Sequence, residues 1–408
     1  MLELFKHNKM LRLFLGYRFF SAIGSGMFRM FVLFSVHLIY NNPMYTGVAS
    51  FLMIAPFVSS FTVGPIVDKR NKVAIMRLTI LLEFVVLLFL TVSSIQEDLS
   101  VLFMFAAVLL FSVAALFEGP ASSALLPQIV PYEKIIQANS LIMTSTMVGG
   151  LGVAIILYVA LGVDIDFGVI YGLSTIFLTL AFIFSLLLKK TESKVQGLDS
   201  APQNYIQELK EGAKFIRGSV LLYIMIATTA MGMFIEIASV NRPMFLNTHV
   251  GAQGYVVFSV LALVGGILGS SIMARAGNKF RASHLISALL MLSGIARIVF
   301  AYVLPHRVLA GALAMIIYAT LGSSLGIVFT SLNQKTPPKN MVGRIVTIST
   351  TCRSIFISIG SIVGGFLGSV MPVVDHIFVL HGISYILIGL FMSFVPSVRT
   401  LSKMDEVK

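Results

Sequence analysis

Charged side chains are scarce in this sequence. Only 11% of its 408 residues are Asp, Glu, Lys or Arg, whereas 57% are hydrophobic, and the mean hydropathy is +0.95. Soluble domains carry about 25% charged residues and about 45–50% apolar ones. Because a folded surface in water needs polar cover, this composition excludes a soluble globular protein. Lipid must therefore solvate most of the chain.

Chemical motifs are also scarce. Cys352 is the only cysteine, which excludes an intramolecular disulfide and argues against a cysteine-based metal site. The sequence contains no G-x-x-x-x-G-K-[ST] loop for ATP and no H-E-x-x-H pair for zinc. We therefore predict that the protein is not an enzyme, has no catalytic residues and holds neither a cofactor nor a metal.

Long apolar runs dominate what is present. A membrane-spanning helix needs about 20 apolar residues, and twelve segments meet this requirement. They lie near residues 11–40, 45–67, 73–95, 100–126, 138–161, 167–188, 219–243, 253–275, 282–304, 308–332, 344–370 and 374–396. The sequence therefore predicts an all-α integral membrane protein with twelve transmembrane helices.

One long polar segment divides these spans into six and six. We predict four regions: an N-terminal six-helix bundle, a cytoplasmic linker, a C-terminal six-helix bundle and a cytoplasmic tail, over residues 1–188, 189–218, 219–396 and 397–408. Pro202 opens a short amphipathic helix in the linker, with one apolar stripe formed by Ile206, Leu209, Ala213 and Ile216. This helix either lies on the membrane surface or docks a regulator.

The net charge of +12 follows the predicted topology. Most Lys and Arg fall in the loops on one side of the membrane, whereas the opposite loops hold Glu97, Asp98, Asp164, Asp166 and Asp375. This asymmetry is the positive-inside bias of membrane proteins and not a sign of nucleic-acid binding. We expect a multi-pass protein of the cell membrane with both termini in the cytoplasm and no cleaved signal peptide.

The two halves repeat each other. Asn71-Lys72 after span 2 aligns with Asn278-Lys279 after span 8, and Pro131 after span 4 aligns with Pro337 after span 10 at nearly the same offset. A constant offset at two loops indicates duplication of a six-span unit. Repeats of this kind rock about a central site in transporters.

The loop after span 2 carries a family resemblance. Gly64-Pro-Ile-Val-Asp68-Lys-Arg-Asn-Lys72 resembles the signature G-x-L-x-D-R-x-G-R-K of the major facilitator superfamily. Gly64, Asp68, Lys69 and Lys72 match, whereas Asn71 replaces a glycine and Val73 the last basic residue. The stretch around Pro120–Ser140, with its mirror ending in Gly343-Arg344, resembles the branch of macrolide efflux proteins and enterobactin-type siderophore exporters.

This resemblance implies two pseudo-symmetric six-helix bundles that work by alternating access. It also implies a conformational latch at the cytoplasmic loops, formed by Gly64, Asp68, Lys69, Lys72, Arg275, Gly343 and Arg344. An Asp at a helix end can pair with an arginine in one conformation and release it in another. A charged turn that only sets topology is the alternative.

Span 5 reads MVGGLGVAI and lacks the proline of the G-x-x-x-G-P-x-x-G-G antiporter motif of some relatives. Span 11 echoes it as SIVGGFLGS. Small residues also permit close helix packing, so packing competes with an antiport role for these glycines.

Ionisable side chains inside the spans are the candidates for coupling, because a charge in the membrane is costly. Arg29 and Glu236 occupy equivalent positions of the two repeats, and we predict that they pair when the outer side closes, with Glu236 protonated when it opens. We also predict a pair of Arg18 with Glu118 near the inner gate. Permanent structural pairs are the alternative in both cases.

Three further charges lie within spans. Arg353 in span 11 is expected to reach the cavity and meet an anionic group of the substrate. Glu83 and Arg297 lie in spans 3 and 9, which are peripheral in the family, and a structural or snorkelling role is expected for both.

The sequence as a whole indicates a secondary active transporter for proton-coupled efflux of drugs or amphipathic small molecules, as in multidrug-resistance antiporters. Siderophore export, nutrient uptake and lipid transport are alternatives. A non-transporting sensor is disfavoured because no sizeable soluble module is present. The expected partners are a small-molecule substrate, protons and membrane lipid, without nucleic acid, and the chain is expected to be a monomer.

Overall fold

The computed structural model describes residues 8–96, 100–130, 135–163, 165–189, 202–276, 280–337, 341–371 and 375–402. Helices account for nearly all of this part of the chain. The chain folds into two compact units, Met1–Leu198 and Asp199–Lys408, which we name the N-terminal and C-terminal units. The region boundaries assigned from the sequence stay predictions.

The described part of the N-terminal unit contains seven α-helices. They are α1 Lys9–Tyr40, α2 Pro43–Ile54, α3 Ser60–Lys69, α4 Lys72–Ile95, α5 Val101–Ile129, α6 Ile135–Gly162 and α7 Phe167–Leu187. A 3₁₀ helix, Ala55–Ser59, joins α2 to α3. Short polar side chains cap several of these helices by accepting from the first free backbone N–H groups. The caps are Asn8, Asn42, Asn71, Ser100 and Asp166.

Helix α1 is the centre of this unit and packs against α6 and α7, while α4 packs against α5 and α7. Gly24 allows α1 and α7 to approach closely, because a Cβ there would lie 2.7 Å from Leu178. The Ser174 hydroxyl of α7 donates to the Gly24 carbonyl over 2.8 Å. A membrane helix cannot gain hydrophobic energy by leaving lipid, so such close contacts and hydrogen bonds hold the bundle together.

Among the described residues of the C-terminal unit there are also seven α-helices. They are α8 Pro202–Arg217, α9 Leu221–Ala276, α10 Ala282–Val303, α11 Val308–Lys335, α12 Val342–Val370, α13 Asp375–Phe394 and α14 Pro396–Arg399. Helix α8 occupies the predicted amphipathic segment and packs against α9 and α12. Its Ile216 is buried in the core of the unit, whereas Ala213 is exposed, and the membrane-surface position of this helix stays a prediction. The side chains of Ile206 and Leu209 lie outside the described residues.

Helix α9 is two membrane spans. Its 56 residues would extend about 80 Å, far beyond the membrane core of about 30 Å. The backbone leaves helical geometry at Gly251, with φ of 72°, a conformation that glycine adopts without steric cost. The first span was predicted to end at residue 243, but the helix continues through Pro243. Pro243 removes one backbone hydrogen-bond donor but does not end the helix. The positive φ of Gly251 changes the direction of the chain.

Eleven helical segments of the described chain are long and apolar enough to cross a membrane, and one of them, Leu221–Met273, contains the Gly251 break. Counting that segment twice gives twelve spans. Both units use the same helix pairings, since α4 packs on α5 and α7 as α10 packs on α11 and α13, and α1 packs on α6 as α9 packs on α12. The predicted fold class, two pseudo-symmetric six-helix bundles, is confirmed.

The echoed glycines of spans 5 and 11 contact neighbouring helices. A Cβ on Gly149 of α6 would lie 3.3 Å from Ala22 of α1, whereas Gly150 and Gly152 have open space around their Cα atoms. In the C-terminal unit, a Cβ on Gly364 of α12 would lie 2.8 Å from the Ile237 Cα of α9. Close helix packing is therefore enough to explain why glycine occupies positions 149 and 364.

We expect Gly364→Ala to lower the thermal stability of the protein. The added methyl group meets the α9 backbone, which cannot rotate away, and overpacking of this kind costs about 1–3 kcal/mol. The substitution also disturbs the 2.8 Å hydrogen bond from the Asn241 amide to the Gly364 carbonyl. Far-UV circular dichroism melting in detergent measures the effect. Gly266→Ala is the matched control, since its Cβ meets no atom within 4 Å; equal melting of the two variants contradicts the prediction.

Candidate functional site

A polar stripe runs along α1 inside the N-terminal unit. Arg18, Ser21, Ser25 and Arg29 follow one another at intervals of three or four residues, so they share one face of the helix. We name this set the α1 stripe. Two carboxylates from other helices meet it.

The first carboxylate is Glu118 of α5. The Arg18 guanidinium donates to Glu118 Oε1 over 2.9 Å, and the side chains are 24% and 13% exposed. The buried Tyr17 hydroxyl donates to the same oxygen over 3.2 Å. The predicted pairing of Arg18 with Glu118 is present, and the tyrosine is a partner that the sequence did not reveal.

The second carboxylate is Glu83 of α4, which is only 2% exposed. The Ser25 hydroxyl donates to Glu83 Oε2 over 2.7 Å. Within the described part of the chain, Glu83 forms no ion pair. Snorkelling is therefore wrong for this residue, because a fully buried carboxylate does not reach the membrane surface.

Arg29 and Glu236 belong to different units. Arg29 is exposed, with its guanidinium carbon 6.0 Å from the Phe111 ring centre. Glu236 lies on α9, and the Ser361 hydroxyl of α12 donates to its Oε1 over 3.4 Å. Their mutual pairing stays a prediction.

The signature loop is described only in part. Lys72 is buried at the start of α4, and its Nζ donates to the Arg70 carbonyl over 3.1 Å. The other predicted latch side chains lie outside the described residues, namely Gly64, Asp68, Lys69, Arg275, Gly343 and Arg344. The latch stays a prediction.

Arg77, one helical turn into α4, is a structural clamp that the sequence did not reveal. Its guanidinium donates to the carbonyls of Ser185, Leu186 and Leu188 over 3.0, 3.1 and 2.7 Å. These carbonyls lie at the C-terminal end of α7, where backbone acceptors lack the donors of a following turn, and the Ser185 carbonyl also accepts from the Leu188 N–H over 3.3 Å. Arg77 therefore ties the N-terminal end of α4 to the C-terminal end of α7, and the predicted topology places both ends near the cytoplasm.

The C-terminal unit holds a cavity of about 680 Å³ between α9, α11, α12 and α13. Apolar side chains of Met231, Ile235 and Phe329 form part of its wall. The neutral polar part comes from the Asn333 amide and from the hydroxyl groups of Thr228, Tyr318, Ser323, Thr330, Ser331, Ser349, Thr350 and Tyr385. Arg353 is the one charged side chain among the described lining residues, so its predicted position at a cavity agrees with the structure.

The arrangement of the site defines a class of protein. Twelve spans, a cavity of small-molecule size and carboxylates buried among helices are the parts of a membrane transporter. In agreement, the family model of the Major Facilitator Superfamily matches residues 13–361. The chain belongs to the major facilitator superfamily. It is a multi-pass membrane transporter.

Solved structures share this fold. The nucleoside transporter NupG superposes with a TM-score of 0.72 at 13% identity, covering 94% of this chain and 98% of that chain. A peptide transporter POT in complex with sulfate gives 0.74 at 13% identity, with coverages of 98% and 96%. A D-xylose–proton symporter gives 0.70 at 14% identity, with coverages of 96% and 98%. At these identities the likeness shows the fold alone.

No curated protein matches the chain in sequence.

Proposed function

We propose that this transporter exports amphipathic small molecules, drugs among them, in exchange for protons. The observation that carries the proposal is the cavity of the C-terminal unit. Its walls combine thioether, aliphatic and aromatic groups with many hydroxyls. A soft apolar wall adapts to ligands of different shape, and scattered hydroxyls satisfy different polar groups. These properties suit varied amphiphiles better than one small polar nutrient, and they agree with the resemblance to macrolide efflux proteins and siderophore exporters.

Proton coupling is supported by the two carboxylates on the α1 stripe. Glu83 is buried with a neutral hydroxyl as its hydrogen-bond donor, so a proton on its carboxylate removes a charge that is costly in lipid. Glu118 is the second acidic group that meets α1, in a partly exposed ion pair with Arg18. Acidic side chains within membrane helices are the usual members of proton relays in transporters. The solved D-xylose–proton symporter shows that this fold accommodates proton coupling in another protein.

Export is part of the proposal and is supported by the resemblance to efflux proteins. With both termini in the cytoplasm of the cell membrane, the basic loops face inward, and proton entry down an inward gradient would drive export by exchange. Latch residues at the same loops, Asp68 above all, would hold one conformation closed.

Reconstituted proteoliposomes test the proposal. The purified full chain, with a pH gradient imposed across the vesicle membrane, is expected to move amphipathic dyes only while the gradient persists. A protonophore should abolish this flux. Flux that is unaffected by the protonophore contradicts proton coupling. Gene deletion separates export from uptake, since cellular accumulation of a substrate rises after loss of an exporter and falls after loss of an importer.

Glu236→Gln is expected to reduce proton-driven flux at least ~10-fold, the effect of losing a group that gains and loses a proton in each cycle. The amide keeps the shape of the carboxylate and can still accept from Ser361. Flux in the gradient and substrate exchange without it are measured side by side. The control is Glu211→Gln on the exposed face of α8, which should leave flux unchanged. Proton-driven flux that persists in Glu236→Gln assigns this carboxylate a structural role.

A further inference from the structure

A buried arginine lies next to the cavity of the C-terminal unit. Arg297 of α10 is 4% exposed. Its guanidinium carbon lies 4.6, 4.8 and 5.1 Å from the ring centres of Phe378, Tyr318 and Phe300. The sequence predicted a structural or snorkelling role, but this burial excludes snorkelling. An aromatic box can hold a cation by its ring faces.

The charge of Arg297 has no opposite partner in the described chain. No ion pair to it forms there, and its Nε has no hydrogen-bond acceptor. Its NH1 group reaches only the Met315 sulfur, at 3.9 Å. A buried cation without a carboxylate is normally strongly unfavourable, so ring faces alone compensate it poorly.

The two tyrosines connect this charge to the cavity. Tyr318 stacks with Arg297 and also lines the cavity, and Tyr385 lines it as well. His381 lies between them, with ring-centre distances of 5.8 Å to Tyr318 and 4.9 Å to Tyr385. Its Nε2 is 3.5 Å from the Tyr318 hydroxyl, and its buried Nδ1 has no partner among the described residues. A cation beside a phenol makes the hydroxyl a stronger hydrogen-bond donor.

Arg353 also lines this cavity, and no carboxylate occurs among the described lining residues. Arg353 packs on the small residue Gly232, where a Cβ would lie 3.3 Å from the arginine Cγ. The cavity therefore has one direct cation, one buried cation behind its tyrosines and no acidic group in its described lining. Such a field repels cationic ligands and attracts anionic ones.

We propose that the C-terminal cavity selects amphipathic organic anions, with a carboxylate or sulfonate bound between Arg353 and the hydroxyls of Tyr318 and Tyr385. Arg297 acts through Tyr318 as a positioning residue that supplies positive potential. The inference rests on the proposed function, because it names the substrate class of the same cavity. It excludes the hydrophobic cations that many drug exporters would carry.

Three probes with one fluorophore test the charge preference. They are dansylglycine, its neutral methyl ester and the cationic dansylcadaverine. Isothermal titration calorimetry with the purified full chain in detergent, corrected with protein-free micelles, gives each affinity. We expect dansylglycine to bind at least ~10-fold more tightly than its ester, as for one hydrogen bond to a charged group. Dansylcadaverine should bind most weakly.

Four variants locate the origin of the preference. Arg353→Gln should reduce the acid-to-ester preference ~10-fold, Arg353→Lys should retain most of it, and Tyr318→Phe should reduce it ~3-fold. Arg297→Met should weaken the preference while the melting temperature holds or rises, because an apolar side chain replaces an uncompensated charge. The control is Arg307→Gln, which removes an exposed cation of the same unit outside the cavity lining and should change nothing.

Each result decides the inference. Equal affinity for the acid and its ester, tighter binding of the cation, or no binding of dansylglycine overturns it. The inference is also overturned if the Arg353→Gln variant prefers dansylglycine over its ester as strongly as the unmodified protein does. A lower melting temperature with unchanged preference in Arg297→Met assigns that residue a structural role only. If Arg297→Met fails to fold, Arg353→Gln and Tyr318→Phe decide. Calorimetry needs no proton gradient, so the two proposals can fail separately. Gradient-driven flux without a preference for anions refutes this inference alone. A preference for anions without gradient-driven flux refutes the proposed function.

Discussion

Glu83→Gln should reduce proton-driven flux by about 100-fold or more, the loss typical of a general acid–base group. The carboxylate is buried against the α1 stripe, and the Ser25 hydroxyl donates to it over 2.7 Å. A glutamine has the same shape and can accept the same hydrogen bond, but it does not bind or release a proton. The change therefore removes proton exchange while it leaves the packing of α1 and α4 in place.

Two measurements on proteoliposomes separate coupling from structure. Flux driven by a pH gradient should collapse in Glu83→Gln, whereas exchange of substrate across equal pH should continue at a rate near that of the unmodified protein. Ser25→Ala is the graded control, because it keeps the carboxylate and removes one hydrogen bond of about 0.5–1.5 kcal/mol. Its effect should stay below ~10-fold. Loss of both fluxes in Glu83→Gln, together with a lower melting temperature, identifies a structural carboxylate and refutes the coupling role.

Arg18→Glu is expected to lower both the stability and the transport activity of the protein strongly. It places two carboxylates where a 2.9 Å ion pair now joins α1 to α5. Breaking a fully buried pair costs about 3–5 kcal/mol, and the partial exposure of this pair to solvent lowers that figure to about 2–3 kcal/mol. We expect a clear fall in melting temperature and nearly complete loss of transport.

The charge-swapped double variant, Arg18→Glu with Glu118→Arg, tests the pair directly. It restores opposite charges on α1 and α5, so it should regain much of the stability that either single change loses, and part of the transport. Tyr17→Phe is the control, since it removes only the weaker 3.2 Å hydrogen bond to Glu118 and should cost about 1 kcal/mol. A double variant no more stable and no more active than the worse single variant would show that Arg18 and Glu118 act independently.

The sequence predicted the membrane fold well, because hydropathy is a property of short windows of residues. The predicted span near 73–95 corresponds to α4, Lys72–Ile95, and the one near 282–304 to α10, Ala282–Val303. The break between spans 7 and 8 was predicted between residues 243 and 253, and Gly251 lies within that interval, but the residue that forms the break was not identified. Pro243 is the more conspicuous residue in the sequence, but Gly251 has the left-handed backbone, and conformational freedom leaves no hydropathy signal.

The candidate site was predicted less completely. Arg18, Glu118 and Arg353 stand out in the sequence because charges are rare in membrane helices, and the structure places the first two in contact and the third at a cavity. The roles of Tyr17, Ser25, Tyr318 and His381 were not predictable. Aromatic and hydroxyl residues are abundant in this chain, and only their neighbours distinguish one from another.

Glu83 and Arg297 show where the sequence reached its limit. Their presence within spans, and the energetic cost of each charge, follow from the sequence alone. Tertiary packing decided that Glu83 meets Ser25 of α1 and that Arg297 lies among Phe300, Tyr318 and Phe378. The physical reason is that helical periodicity assigns a residue to a face of its own helix, whereas the partner on the next helix depends on which helices pack together and at what depth.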